Sequence, residues 1–208
     1  MTHSLSELDD ATRVLVQLSA AIAAGDEATV RRWIVEAARS APAGEVEEVV
    51  LQSYLFCGFP RALNAAREWR RVAGVRAPDS DEADDIALIP EWRTRGEQTC
   101  AAVYGDMYEK LRLNVRDLHP ALDAWMVIDG YGKVLSRPGL DLERRELCVV
   151  AACAAMGQDR QLHSHLHGAL NVGASPDAII AAIEAIAELI GPERARSARL
   201  LLARVLGK

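Results

Sequence analysis

The feature that most constrains the fold is a repeat within the chain. Residues 8–15 align with residues 140–147, and the alignment continues without a gap at an offset of 132 residues (140 − 8). Its matched positions include a glycine at a helix end and a proline at a helix start, where backbone geometry restricts substitution. These pairs are Gly25 with Gly157 and Pro60 with Pro192. Two copies are too few for a solenoid, so we expect two helical repeats related by a pseudo-two-fold axis.

The spacing of apolar residues predicts an all-α fold. Half of the chain is apolar and only 5% is aromatic, and a set dominated by alanine, leucine and valine is typical of closely packed helices. Glycine and proline divide each repeat into four predicted helices, and two more lie between the repeats. The predicted helices cover about 6–24, 26–39, 45–57, 60–73, 91–113, 119–135, 141–156, 158–172, 176–190 and 192–206. We find no segment of useful length with the alternation of a strand.

An acidic, unperiodic stretch separates the two repeats. Residues 75–85 are rich in aspartate and contain no helical pattern, which indicates an exposed linker. We therefore predict three parts: a degenerate N-terminal helical repeat at 1–74, the linker at 75–90, and a C-terminal domain at 91–208.

Charge and composition argue against several classes of partner. The net charge of −6 disfavours nucleic acid, which requires a basic face. The first ten residues contain no basic and apolar signal segment, and no apolar run approaches the roughly 20 residues of a membrane span. We therefore expect a cytoplasmic protein without a membrane or nucleic-acid partner. The cysteines form no C-x-x-C pair and lie in apolar helical surroundings, which favours buried, inert thiols.

Three motifs in the second half resemble the signature of the carboxymuconolactone decarboxylase family. They are the turn Arg137-Pro138-Gly139-Leu140-Asp141, the helix start Arg145-Glu146-Leu147, and the helix segment 162–171, which contains H-x-x-x-A-L-N. Residues 95–97 and 104–105 resemble further family positions. The resemblance covers about 92–190, and 8–70 more faintly. It implies the helical fold of the alkylhydroperoxidase D superfamily, a decarboxylase-like domain at 91–208, and a homo-oligomer, most simply a trimer or a hexamer.

The two branches of this superfamily use the site differently. In the alkylhydroperoxidase branch a Glu and a Cys/His cluster form a thiol proton relay; the Glu falls on Glu146 and the last His on His165. The two cysteine positions fall on Gln158 and Gln161, so disulfide chemistry has no thiolate. The decarboxylase branch usually has Ser or Thr at the Glu position. It also favours Trp-Gly-Glu where this chain has Tyr-Gly-Lys, which reverses the charge at Lys133.

The resemblance makes Glu146 and His165 the candidate catalytic pair. They lie roughly 17 and 12 Å from the turn at Gly157 on adjacent antiparallel helices, at a rise of about 1.5 Å per residue, so they can face each other. A buried Glu beside a His can act as general acid and base next to a carbonyl or lactone. The alternative is a structural hydrogen bond between two helices. In the first repeat the equivalent residues are Val14 and Trp33, which predicts that this half is scaffolding.

Further residues are candidates for binding an anionic substrate. Arginine pairs with carboxylates in a fork geometry, and the remaining candidates flank the expected pocket. The candidate substrate-binding residues are Arg137, Arg145, Tyr131, Gln158 and Gln161. His163 and His167 share one helix face, but no carboxylate lies between them and His165 points away. We therefore predict no metal and no cofactor.

The first functional hypothesis is a decarboxylase-type lyase. It would act by general acid/base chemistry on a small carboxylated lactone or oxo acid. Two alternatives stay open: an antioxidant protein of the alkylhydroperoxidase D type that lacks the C-x-x-C motif, and a non-catalytic oligomer that binds a ligand.

Overall fold

The computed structural model describes residues 8–207, and every regular element in that range is helical. The all-α prediction is confirmed. The helices are α1 (Asp10–Ala24), α2 (Glu27–Ser40), α3 (Ala43–Ala73), α4 (Ile89–Tyr104), α5 (Tyr108–Leu118), α6 (Pro120–Trp125), a π-helix (Met126–Leu135), α7 (Leu142–Met156), α8 (Asp159–Asn171), α9 (Pro176–Ile190) and α10 (Pro192–Val205). None of the described helices is both long and apolar enough to cross a membrane.

The ends of the first helices follow from local chemistry. The predicted start at Ser6 lies outside the described residues; α1 begins at Asp10, and the Asp9 side chain accepts a hydrogen bond from the Thr12 amide. This is the usual role of an aspartate at a helix N-cap. The predicted interruption before Pro60 is confirmed, because Gly58 (φ 75°, ψ 164°) bends α3 at that point. Such a φ angle is accessible chiefly to glycine.

The region between the repeats differs from the prediction. The helix predicted at 91–113 is broken, because Gly105 (φ 52°, ψ −131°) ends α4 and a short 3₁₀ turn precedes α5. The helix predicted at 119–135 becomes a π-helix after Trp125. This π-helix packs on α4 at backbone contact: a Cβ at Gly96 would overlap the carbonyl oxygen of Val127, and one at Gly132 would overlap that of Trp92. Glycine at both positions permits this approach.

The main hydrophobic core contains residues of both halves. Helix α1 packs along α7, and their buried side chains, such as Leu15 and Val149, belong to one cluster with α9. The linker contains two 3₁₀ turns, Glu82–Asp84 and Ile86–Leu88. Its Glu82 forms an ion pair with Arg95 at 2.6 Å. The two halves therefore share a core, and the three-part division of the chain stays a prediction.

Helix boundaries recur at the offset found in the sequence. Adding 132 to the ends of α1 gives residues 142 and 156, which are the ends of α7. Helix α2 corresponds to α8 within one residue at its C-terminal end. The two limbs of α3, divided at Gly58, correspond to α9 and α10, which are divided at Gly191 (φ 81°, ψ 165°).

Candidate active site

Glu146 on α7 and His165 on α8 lie side by side. The turn at Gly157 (φ 67°) places the two helices next to each other, and Nδ1 of His165 lies 2.8 Å from Oε2 of Glu146. Glu146 is fully buried and His165 is 5% exposed. The hydrogen bond fixes the orientation of the imidazole ring, while the catalytic role of the pair stays a prediction.

The surroundings of Glu146 are shaped for its carboxylate. A Cβ at Gly168 would lie 2.7 Å from Oε2 of Glu146 and 2.7 Å from a methyl group of Val103, so only glycine fits at this position of α8 without a shift. The other oxygen, Oε1, is buried and has no hydrogen-bond partner within residues 8–207. A buried polar atom without a partner destabilises a fold, and such atoms are often retained for function.

A cavity of about 820 Å³ opens beside His165. The size is that of a small-molecule site, and His165 is the member of the pair that reaches its wall. The walls are mainly aromatic: both phenylalanines and three of the four tyrosines of the chain lie here. The lining residues are Tyr54, Leu55, Phe56, Phe59, Tyr104, Leu122, Trp125, Met126, Asp129, Gly130, Tyr131, Lys133, Leu135 and His165.

Two tyrosines stand close to the pair. The ring of Tyr104 lies 6.3 Å from the His165 ring and 6.3 Å from the Tyr131 ring, edge-to-face in both cases. Burial, above all, raises the pKa of the Tyr104 hydroxyl well above its usual value. Burial also raises the pKa of Tyr131, and the nearby Tyr104 and Glu146 add to the effect. Both hydroxyls therefore stay protonated, as hydrogen-bond donors, at neutral pH.

One cation, Lys133, lines the cavity. Its ammonium lies 3.3 Å from the Asp129 carboxylate one turn earlier on the π-helix. It also lies 4.3 Å from the ring centroid of the buried Trp92, within the range of a cation–π contact. Both partners hold the ammonium at the wall of the cavity.

The two predicted substrate-binding arginines do not line the cavity. Arg145 is fully buried, and its guanidinium binds Glu48 at 2.7 Å, Gln52 at 3.1 Å and the carbonyl oxygen of Leu140 at 3.0 Å. Arg137 donates to Glu48 at 3.0 Å, and it also pairs with Asp81 of the linker. These arginines attach the turn at 137–141 and the start of α7 to α3. Their positive charges are therefore paired with carboxylates of the fold.

The predicted glutamines also lie away from the cavity, because Gln158 and Gln161 are exposed at the start of α8. Of the five predicted substrate-binding residues, Tyr131 is the one that lines it. Among residues 8–207 there is no group of three or more His, Cys, Asp or Glu that could hold a metal ion. The rings of His163 and His167 contact each other at 4.9 Å, on a different face from His165.

The cysteines are free thiols in apolar surroundings. Cys100, Cys148 and Cys153 are buried, and Cys57 is half-buried. Burial raises the pKa of each of the three buried thiols to about 12 and that of Cys57 to about 11. A thiol rather than a thiolate is thus present at neutral pH, and thiols are poor nucleophiles.

Sequence reasoning missed the contribution of the first half. Tyr54, Phe56 and Phe59 of α3 form one wall of the cavity, so the first repeat is more than the scaffolding that was predicted. The signal was present, because three aromatic residues within six positions are unusual in a chain with so few. Tyr104 belongs to a family-like motif in the sequence, but no pattern there indicates that its ring lies beside His165.

Comparisons with known proteins find similarity in the part of the chain that contains the candidate site. Residues 120–204 match the model of the carboxymuconolactone decarboxylase family, which confirms the predicted resemblance there. Over 139 residues the chain is 27% identical to "Peroxisomal protein 2" of Schizosaccharomyces pombe, an alignment that covers 66% of this chain. The chain spans 65% of the length of that relative. The family match includes both Glu146 and His165.

Proposed function

We propose that Glu146 and His165 form the acid/base centre of a decarboxylase-type lyase, which acts on a small carboxylated lactone or oxo acid. The observation that carries the proposal is the position of His165. Its Nδ1 is held by a buried carboxylate, while the ring reaches the wall of a cavity of small-molecule size. This is the arrangement that a general acid or base requires.

The chemistry follows from the roles of the two ring nitrogens. In a decarboxylation the C–C bond to the leaving carboxylate breaks, CO₂ departs, and the bonding electron pair moves into an enolate on the neighbouring carbonyl. The imidazolium of His165 then delivers a proton from Nε2 to the carbon and is reprotonated from water. Glu146 holds the ring in place and balances its positive charge, as the carboxylate does in other carboxylate–histidine pairs.

Tyr104 is suited to stabilise the enolate oxygen. Its ring lies edge-to-face with His165, and both residues line the cavity. A protonated hydroxyl in a mostly apolar cavity can donate a hydrogen bond to the developing negative charge, which is a large contribution in such sites.

The antioxidant alternative has less support. The positions that carry the redox cysteines in the alkylhydroperoxidase branch are the exposed Gln158 and Gln161. The existing thiols have raised pKa values because they are buried. A peroxidase assay with a thiol donor tests this alternative directly, and sustained peroxide turnover would favour it.

The acid/base proposal can be tested without the physiological substrate. A residue that delivers a proton to an enolate also removes the α-proton of the product, so the protein should catalyse deuterium exchange in a panel of oxo acids and ketones, followed by NMR. His165→Ala should lower the exchange rate by at least about 100-fold, the usual contribution of a general base. Glu146→Gln should be nearly as damaging, because the amide keeps the shape and loses the negative charge.

His163→Ala is the matched control, since His163 is exposed on the same helix and does not line the cavity. It should keep the wild-type rate. A His165→Ala protein that still exchanges at the wild-type rate would exclude the proposal, and so would a wild-type protein that exchanges nothing in the panel. Inactivity together with a thermal shift on ligand addition would favour the non-catalytic alternative.

Two structural properties belong to the same proposal. The repeats at 8–69 and 140–201 are proposed to be related by a pseudo-two-fold axis, supported by the recurring helix boundaries.

The protein is proposed to act as a homo-oligomer, a trimer or a hexamer. Three exposed apolar side chains at the cavity support this proposal: Phe59, Leu122 and Trp125. The cytoplasmic location stays a prediction.

A further inference from the structure

The cavity contains one charged pair whose function the acid/base proposal does not use. Asp129 and Lys133 both line the cavity and lie one helical turn apart on the π-helix. Lys133 is 28% exposed at its side chain and Asp129 is 39% exposed. A half-exposed pair of this kind is weak, so an incoming ligand can compete for either partner.

The other positive charges near the site are committed elsewhere. The guanidinium groups of Arg137 and Arg145 are paired with Glu48 behind the turn at 137–141. Within the described part of the chain, Lys133 is therefore the cation that a negatively charged ligand in this cavity meets. The remaining walls are mostly aromatic and aliphatic, which suits an apolar body of ring size.

We propose that Lys133 is a specificity-determining residue that binds a retained carboxylate of the substrate, and that Asp129 competes with this carboxylate for the ammonium. The ligand class is an apolar, ring-sized molecule with one carboxylate at Lys133 and its reacting carbonyl at His165. Only the placement of the reacting carbonyl at His165 rests on the proposed function. Binding of a carboxylate at Lys133 needs no catalysis.

Replacing Lys133 and replacing Asp129 should have opposite effects on the affinity for carboxylates. The ammonium has three donors, and the Trp92 ring holds the cation from one side without using a directed acceptor. The Asp129 carboxylate takes one of these donors and repels a substrate carboxylate that approaches the others. Removing Lys133 should remove the preference for carboxylates, and removing the charge of Asp129 should strengthen it. A gain of affinity is informative, because a misfolded variant does not produce one.

The experiment uses two probes of the same shape, 2-naphthoate and 2-acetylnaphthalene, with calorimetric titration of the full chain. Wild type should bind the carboxylate more tightly than the ketone. Lys133→Met should weaken 2-naphthoate about tenfold, the loss of a charge-assisted hydrogen bond, with little change for the ketone. Asp129→Asn should tighten 2-naphthoate by about two- to fivefold, the equivalent of a weak, half-exposed ion pair. Lys110→Met, an exposed lysine outside the cavity, should change neither.

Three results would overturn the inference. They are a wild type that prefers the ketone, an Asp129→Asn variant with unchanged affinity for 2-naphthoate, and a protein that binds neither probe. His165→Ala separates this proposal from the catalytic one, since it should keep the dependence on Lys133 while it loses deuterium exchange. If exchange is absent in wild type and the carboxylate preference holds, the proposed function fails and the binding site stands.

Discussion

Residues 8–69 and 140–201 have helix boundaries that correspond within about one residue, but they differ in the residues at the candidate site. Helices α1 and α2 in the first half correspond to α7 and α8 in the second. The second half has Glu146 and His165 in hydrogen-bond contact, whereas the first half has Val14 and Trp33 at those positions. Helix ends depend on caps, glycines and prolines, so the helix boundaries can be kept while the candidate catalytic side chains are absent.

A third position near the candidate site, Gly168, also differs between the two halves. Gly168 leaves room for the Glu146 carboxylate, and its counterpart in the first half is Glu36 (168 − 132). The half without the buried carboxylate thus has no need for glycine there. All three residues, Glu146, His165 and Gly168, are therefore replaced at the positions 132 residues earlier.

The halves nevertheless depend on each other. The hydroxyl of Ser19 on α1 donates to the carbonyl oxygen of Cys148 on α7 at 2.7 Å. Glu48 of α3 accepts hydrogen bonds from both Arg137 and Arg145. The second half supplies Glu146 and His165, and the first half binds the start of α7 through Glu48 and forms one wall of the cavity beside His165.

The largest expected effect comes from breaking this dependence at Glu48. Glu48→Ala leaves Arg145, which is fully buried, without its carboxylate. Removal of one member of a buried ion pair typically costs about 3–5 kcal/mol of unfolding free energy. Urea denaturation measures this cost. Glu68→Ala is the control: Glu68 pairs with Arg31 and Arg71 inside the first half, near the surface, and should cost less than about 1 kcal/mol. Equal losses in the two variants would contradict the role of Glu48 between the halves.

A smaller effect is expected when the second half is made apolar like the first. Glu146→Leu alone leaves the imidazole nitrogen of the buried His165 without its partner, which should cost about 1–3 kcal/mol. The double variant Glu146→Leu/His165→Phe removes both polar groups, including the unpartnered Oε1. It should recover most of that loss, to within about 1 kcal/mol of wild type, because replacing both partners by apolar groups is nearly neutral. Chemical denaturation of the three proteins checks this. A double variant no more stable than the single one would contradict this, because the loss in Glu146→Leu would then not come from the unpaired imidazole.

The comparison of the halves also shows what the sequence could predict. Most helix ends depend on residues within a few positions of each other, as with Asp9 and Thr12 or Gly58 and Pro60, and local pattern is sufficient there. The approach of Glu146 to His165 follows from helical rise and one turn. These features need no knowledge of the rest of the chain.

What the sequence did not predict depends on distant contacts. Arg137 and Arg145 are predicted to bind substrate because guanidinium groups pair with carboxylates, but the carboxylate that both bind is Glu48, which lies 89 positions before Arg137 (137 − 48). The π-helix between Met126 and Leu135 packs against α4 at Gly132, which lies about 40 positions after Trp92 (132 − 92). Hydrophobic spacing contains no trace of either contact. The aromatic wall from α3 could be noticed as a cluster, but its position opposite His165 could not.

The smallest expected effect concerns two thiols that distinguish the halves. Cys148 and Cys153 are buried on α7, and their counterparts on α1 are Val16 and Ala21 (148 − 132 and 153 − 132), which are also buried. Burial raises the pKa of both thiols to about 12, whereas the pKa of a thiol in the unfolded chain is about 8.5. Above that pH the unfolded state loses protons that the folded state keeps, so stability falls by about 1.4 kcal/mol per pH unit for each thiol. Below it the thiols contribute nothing to the pH dependence.

Cys148→Val places in α7 the valine that α1 has at Val16. It should make the decline in unfolding free energy between pH 9 and 10 shallower by about 1.4 kcal/mol per pH unit. Cys153→Ala should do the same. Any change in packing moves the whole curve and not its slope, so urea denaturation at several pH values separates the two effects. An unchanged slope in both variants would mean that these thiols ionise in the folded protein.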